Sequence, residues 1–480
     1  MRLAAAKLGT PGISPGRTCK TVAMGFDLAG LLAARRGEAH ELHARYLNPQ
    51  LPRMLHAIGF DKEYERGQGA YLYDRDGNRY TDFLAGFGVF AAGRNHPVVR
   101  RALQDVLDGE LADLVQLDNA LLPGLLAERL LARAPGLDRV YFCNSGTEAV
   151  EAALKFARYA TGRSRIIYCD HAYHGLTVGS LSVNGAAEFR RGFGPLLPDA
   201  MIGFGDLGAL GAELRKGDVA AFIVEPVQGK GVHVAPPGFL AAARELLHAR
   251  GALLICDEVQ TGLGRTGRFF GYQHDDVQPD IVTAAKALSG GFIPVGATLA
   301  KDWIFGKVYS SMDRVLVHDS TFGGNAAAMA AGLASLAVID DEQLVSNAER
   351  TGNALRTALT QLAEEYELIA DVRGQGLIIG VEFARPRSLK LKAGWNMLQA
   401  ARRGLFAQMV VGTLFRRHRI LTQVAGDYME VIKLLPPLMI GDTEVEQFSA
   451  AFADVMNEAH RGSGLMWDFG RTLVKQAVTR

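Results

Sequence analysis

Short apolar runs recur through the middle of the chain, at Val140–Phe142, Arg165–Tyr168, Ala220–Val224, Ala252–Cys256, Ile281–Thr283 and Val295–Leu299. Helical or loop segments separate most of them. Runs without polar alternation suit strands covered on both faces, so the pattern predicts an α/β fold with a mostly parallel sheet between helical layers. Upstream, residues 27–66 read as helix and loop, broken at Pro49-Gln50-Leu51-Pro52. Tyr71–Tyr80 reads as a hairpin turning at Asp76-Gly77, with aromatic residues on both sides. Leucines at three-to-four spacing predict helix from 98 to 135. An alanine-rich helix, Ala326–Val338, leads away from the strands. The last ~140 residues then read as an α+β unit with strands near Gly376–Phe383 and Val431–Leu435.

At 480 residues, 48% hydrophobic and 21% charged, the chain has room for two or three domains. A formal charge of +1 gives no global field toward nucleic acid or acidic membranes. Cys19, Cys143, Cys169 and Cys256 lack metal-ligand spacing, and the last three sit in or just after apolar runs. A reducing compartment, the cytoplasm, fits that usage. No apolar run approaches the ~18 residues a spanning helix needs. Residues 1–26 carry four basic side chains and no acid, without a signal-type core. They read as a disordered tail or an over-extended start before Met24, with a transit-like segment as the alternative.

Chemistry in an open parallel sheet collects at the carboxyl ends of its strands. After Val140–Phe142 comes Asn144-Ser145-Gly146-Thr147-Glu148, where Ser145 and Glu148 have capping-box spacing. A helix start with two hydroxyls and a glycine suits a phosphate, although on its own an ordinary cap explains it as well or better. After Arg165–Tyr168 comes Tyr173-His174-Gly175, an aromatic able to stack on a flat ring or simply to fill the core. Glu225 and Asp257 each follow a buried-type strand, and such carboxylates need partners. A protonated ring nitrogen would serve; so would an arginine such as Arg265. Then Lys286 follows Ile281–Thr283, flanked by Ala285 and Ala287 and followed by Gly290-Gly291. Desolvation there would favour the free amine that attacks carbonyls. The Gly262–Gly267 stretch fits G-x-G-x-x-G but does not open a helix directly after a strand, so a nicotinamide reading fails.

A phosphate cradle, a stacking aromatic, an acid for a ring nitrogen and a lysine are the four parts pyridoxal 5'-phosphate requires. From about Gly69 to Pro437 the chain resembles the class III (ornithine/acetylornithine/putrescine-type) aminotransferases of fold type I. The resemblance implies a large cofactor domain at 79–334 with a mixed, mostly parallel seven-stranded sheet. It implies a segment at 27–78 joining a small α+β domain at 335–480. It places Ser145, Gly146 and Thr147 on the phosphate, Tyr173 and His174 in the ring-stacking segment, and Asp257 at the pyridine nitrogen. Glu225 joins this set; Val259 packs on the ring's far face, Gln260 reaches the phenolic oxygen, and Lys286 is the Schiff-base lysine. Thr321, in His318–Asn325, matches a threonine supplied across a homodimer to the neighbour's phosphate. The implied reaction is ping-pong transamination between a small-molecule amine and an oxo substrate.

The pattern departs from the family at its carboxylate handles. Lys433 stands where amino-acid-specific members carry an arginine, Lys230 where a gating acid is common, and Leu176 where another arginine often stands. Lysine lacks the guanidinium's bidentate fork. Phe87 and Val89 make the implied entrance apolar. The expected donor is therefore a primary amine remote from any carboxylate, either a diamine or an amine on an apolar skeleton. An ornithine- or acetylornithine-type aminotransferase is the alternative, as is a same-fold aminomutase, racemase or decarboxylase. Outside enzymes stands a membrane-associated binding protein. That last reading draws on Gly404–Phe415, uncharged between Arg402-Arg403 and Arg416–Arg419, which reads as a core or interface helix or as a membrane-surface contact near 402–419.

Overall fold

A computed structural model describes residues 26–426 and 428–461. The expected tail at 1–25, with Cys19 and Met24, lies outside the described residues. The chain divides into two compact units, one ending at Leu55 and one beginning at His56. The first unit contains the helices Leu28–Ala34 and Ala39–Tyr46.

The second unit is built on a seven-stranded sheet. Its strands are β1 (Arg139–Cys143), β2 (Arg165–Cys169), β3 (Asp199–Ile202), β4 (Val219–Val224), β5 (Leu253–Asp257), β6 (Ile281–Ala284) and β7 (Gly296–Ala300). They lie in the order β1-β7-β6-β5-β4-β2-β3. Neighbours from β6 through β3 are parallel, whereas β7 runs antiparallel to both β6 and β1. Only residues 285–295 separate β6 from β7, fewer than the dozen or so a parallel crossover needs, so the chain reverses there. Strands β2, β4 and β5 are buried at every position, which explains their unbroken apolar runs. Alternate side chains feed two cores. Phe222 and Leu254 join one, and Ile223 and Ile255 the other, under the helix Gly146–Thr161.

The hairpin forms as Tyr71–Asp74 and Arg79–Asp82, with the Asp74 carboxylate accepting the Asp76 and Asn78 N–H groups. Arg79–Asp82 pairs in parallel with Ile420–Leu421, tying this hairpin to the C-terminal part of the chain. The predicted helix 98–135 is two helices, Pro97–Asp108 and Leu121–Leu131, the first ending at Gly109. A second sheet joins Ile369–Gln375, Ile378–Phe383, Val431–Leu434 and Gln423–Val424.

The uncharged stretch forms the helix Leu405–His418, and Phe406, Met409, Val410, Leu414 and Phe415 are buried. It is a core helix with a basic last turn, which corrects the membrane-surface reading: its apolar side chains are already covered by protein. Among the described residues no helix is long and apolar enough to cross a membrane.

Candidate active site

Strand register decides which side chains meet. Asp257 pairs with Thr283 across β5 and β6, and Val224 with Cys256 across β4 and β5, so Glu225 and Asp257 emerge together at the carboxyl ends. Asp257 is 3% exposed. Its Oδ1 accepts the Val259 N–H at 3.0 Å and the Thr283 hydroxyl at 2.9 Å, and its Oδ2 meets His174 Nδ1 at 2.6 Å. Burial alone would lower the His174 pKa, but the Asp257 hydrogen bond and charge, with Glu225 behind them, outweigh it and raise it. The arginine alternative fails, because the buried Arg265 guanidinium donates to the Leu377 and Pro436 carbonyls instead. Glu225 accepts the Tyr173 and Gly229 N–H groups at 3.0 and 2.8 Å, and burial raises its pKa.

Lys286 begins just past β6 with φ 48°, a left-handed conformation that side chains seldom adopt. Burial lowers its pKa, although the charges of Asp257 and Glu225 oppose this. Sequence showed no neighbouring acid. The fold brings two nearby, and desolvation still prevails.

Ser145 caps the helix Gly146–Thr161, its Oγ accepting the Glu148 N–H at 3.2 Å. Glu148 closes back onto the Asn144 N–H at 2.6 Å. The Gly146 and Thr147 N–H groups have no partner among the described residues. A Cβ at Gly146 would lie 2.8 Å from Val259 Cγ1, so only glycine leaves this approach open. The Gly262–Gly267 decoy forms turns, with Gly264 and Gly267 left-handed and no helix behind them.

These groups face a cavity of about 770 Å³. Every residue expected above to touch cofactor or substrate lines it, with the exception of Thr321. Thr321 is exposed in this chain, its carbonyl accepting from Gln116 Nε2 at 3.3 Å. His174 meets Asp257 as its hydrogen-bond partner. The Gln260 amide donates to the Phe87 carbonyl at 3.0 Å and accepts from Lys433 Nζ at 3.3 Å. Lys433 is 5% exposed and also donates to the Gly229 carbonyl at 2.6 Å. Burial, with the charges of Lys286 and Lys230 adding to it, brings the Lys433 pKa down to about 7. Lys230 Nζ lies 4.7 Å from the Phe189 ring centroid. Phe87, Leu176, Ile293 and Val424 supply apolar wall.

Sequence reasoning missed Phe189, Ile293, Gln423 and Val424. Gln423 and Val424 reach the cavity because their strand pairs with Val431–Leu434, a contact no local motif signals.

A family model for class III aminotransferases matches residues 59–456. The acetylornithine aminotransferase of Methanopyrus kandleri is 40% identical over 396 residues, 81% of this chain and 93% of that protein. The chain belongs to the class III aminotransferases. Aminotransferase PigE of a Serratia species is 36% identical over 458 residues, 88% of this chain, and this chain spans only 54% of PigE's length. The ornithine aminotransferase of Toxoplasma gondii, solved with PLP at partial occupancy in its active site, superposes with a TM-score of 0.76 at 31% identity, covering 90% of this chain and 98% of that one.

The α/β fold with its mixed seven-stranded sheet is therefore fold type I, as the class III resemblance implied. The residues present fit pyridoxal phosphate. Two open N–H groups and a glycine cradle suit a phosphate, a buried carboxylate aims at the same cavity, and a desolvated amine stands beside it. No His/Cys/Asp/Glu group among the described residues could hold a metal ion.

Proposed function

We propose that this chain is a pyridoxal phosphate-dependent aminotransferase moving an amino group between a primary amine on an apolar skeleton and an oxo acid or aldehyde. The observation that carries the reading is Lys286 itself: a desolvated amine beside the Asp257–His174 pair, lining one cavity with the phosphate-type helix start. When bound, the cofactor supplies an electron sink for the substrate carbon. Ser145, Gly146 and Thr147 hold its phosphate, Asp257 its ring nitrogen, and Tyr173 and Val259 its ring. Lys286 would hold the cofactor covalently, and its free amine would move the proton at the substrate carbon. His174 keeps Asp257 oriented through the bond to its Oδ2.

Lys230 and, when protonated, Lys433 line the same cavity as Lys286 and would repel the second ammonium of a diamine. The apolar-skeleton branch is therefore the better supported. We read residues 79–334 as the cofactor domain and 335–480 as the small domain, of which 462–480 lie outside the described residues. A homodimer explains why Thr321 stands outside its own chain's cavity while matching a phosphate-binding position. Buried, unpaired Cys143, Cys169 and Cys256 support a cytoplasmic location.

The deciding measurement is the absorption spectrum of purified protein before and after adding ornithine, putrescine, glutamate or a long-chain alkylamine. Visible absorption of lysine-bound cofactor, lost on adding the alkylamine, is the expected result. A protein that stays colourless after incubation with pyridoxal phosphate ends the proposal. Consumption of a second, oxo substrate separates transamination from racemase, mutase or decarboxylase chemistry.

A further inference from the structure

The substrate end of the cavity holds a polar side chain with no assigned role. Gln423 lies directly opposite Lys433 in an antiparallel pair, so both side chains leave the sheet on the same face, and both line the cavity. The Gln423 Nε2 is buried and has no hydrogen-bond partner. An amide donor left so is costly unless a ligand completes it. Lys433 has three N–H donors, of which the Gly229 carbonyl and Gln260 Oε1 use two. Two neighbouring side chains thus present unused donors to one space.

We propose that Gln423 is a further specificity residue of this site, its amide supplying the second donor, beside Lys433, to the carboxylate of the oxo substrate. This rests on the aminotransferase reading above. A guanidinium delivers two parallel donors to a carboxylate from one side chain. Lysine delivers a single point charge, and the amide beside it supplies the second contact that fixes orientation. Charge favours the same ligand: Lys230 is a second cation at this end, while Glu225 is occupied by the Tyr173 and Gly229 N–H groups. An oxo acid is therefore the acceptor class, ahead of an uncharged aldehyde.

The test is isothermal titration of cofactor-loaded protein with 4-phenylbutyrate, an unreactive carboxylate on an apolar skeleton, and with its uncharged amide. Wild type should bind the carboxylate at least tenfold tighter than the amide. Gln423→Leu should weaken the carboxylate about tenfold and the amide less. Gln423→Glu, of the same size, should weaken it at least as far, and it decides the matter should the leucine variant not fold. Carboxylate affinity equal to wild type in either folded variant, or no preference over the amide in wild type, overturns the subsite. The two readings fail separately. A wild type that takes no cofactor refutes the aminotransferase proposal, and titration of the cofactor-free protein still reads the subsite.

Discussion

His174→Leu isolates the part of the site that holds Asp257. His174 Nδ1 and Asp257 Oδ2 are 2.6 Å apart, both buried, and the raised imidazole pKa makes this a charge-assisted bond. Such bonds contribute about 1.5–3 kcal/mol, and the same amount lost from the Asp257 contact with the ring nitrogen weakens cofactor binding roughly 10- to 150-fold. Fold stability should respond too. His174 Nε2 has no hydrogen-bond partner, so removing the ring relieves one buried orphan, but it leaves the buried Asp257 Oδ2 without its partner and loses the bond. The cofactor dissociation constant, from absorbance titration, should rise steeply, and the melting temperature of cofactor-free protein should fall with it. His174→Gln keeps an N–H donor and should restore part of the affinity. The pH sign follows from the raised pKa. The imidazolium's contribution is fully present below the unfolded value of about 6.5 and is lost as pH rises through the folded value, so the gap between wild type and His174→Leu narrows upward. A leucine variant within twofold of wild type, at a pH below that window, refutes the idea that Asp257 depends on this ring.

Lys286→Ala should abolish turnover and leave the cofactor removable by gel filtration, whereas a variant that keeps it through the column rules out a covalent role for this lysine. Gly146→Ala puts a Cβ 2.8 Å from Val259 Cγ1, an overpacking that costs about 1–3 kcal/mol, so cofactor affinity should fall by roughly 5- to 150-fold in the same titration. Unchanged affinity would remove the phosphate from this helix start. Lys433, with a pKa of about 7 set by burial, by the charges of Lys286 and Lys230, and against them Glu225, must be protonated to hold a carboxylate. Oxo-acid KM should therefore be lowest below pH 7 and climb by about tenfold per pH unit above it, while that of a matched aldehyde does not follow. Parallel profiles for acid and aldehyde would exclude Lys433 from acid binding.

The local sequence by itself determined six of the seven large-sheet strands, the helix start at Ser145 and the acid and lysine at the strand ends; β3, only partly buried, lacks the apolar run and escaped it. Each follows from short-range chemistry: buried strands must be apolar throughout, a cap needs a hydroxyl, and a carboxylate at a buried strand end needs a partner. Only the tertiary structure decided who those partners are. Asp257 could have paired with Arg265 on sequence alone; register between β5 and β6 gave it Thr283, and the loop after β2 gave it His174. The uncharged 404–415 stretch read first as a core or interface helix and second as a membrane surface, because hydrophobicity is non-directional, and packing made it core. Gln423 carried no signal at all. Its meaning comes from lying directly across a strand pair from Lys433, an alignment set by the pairing register.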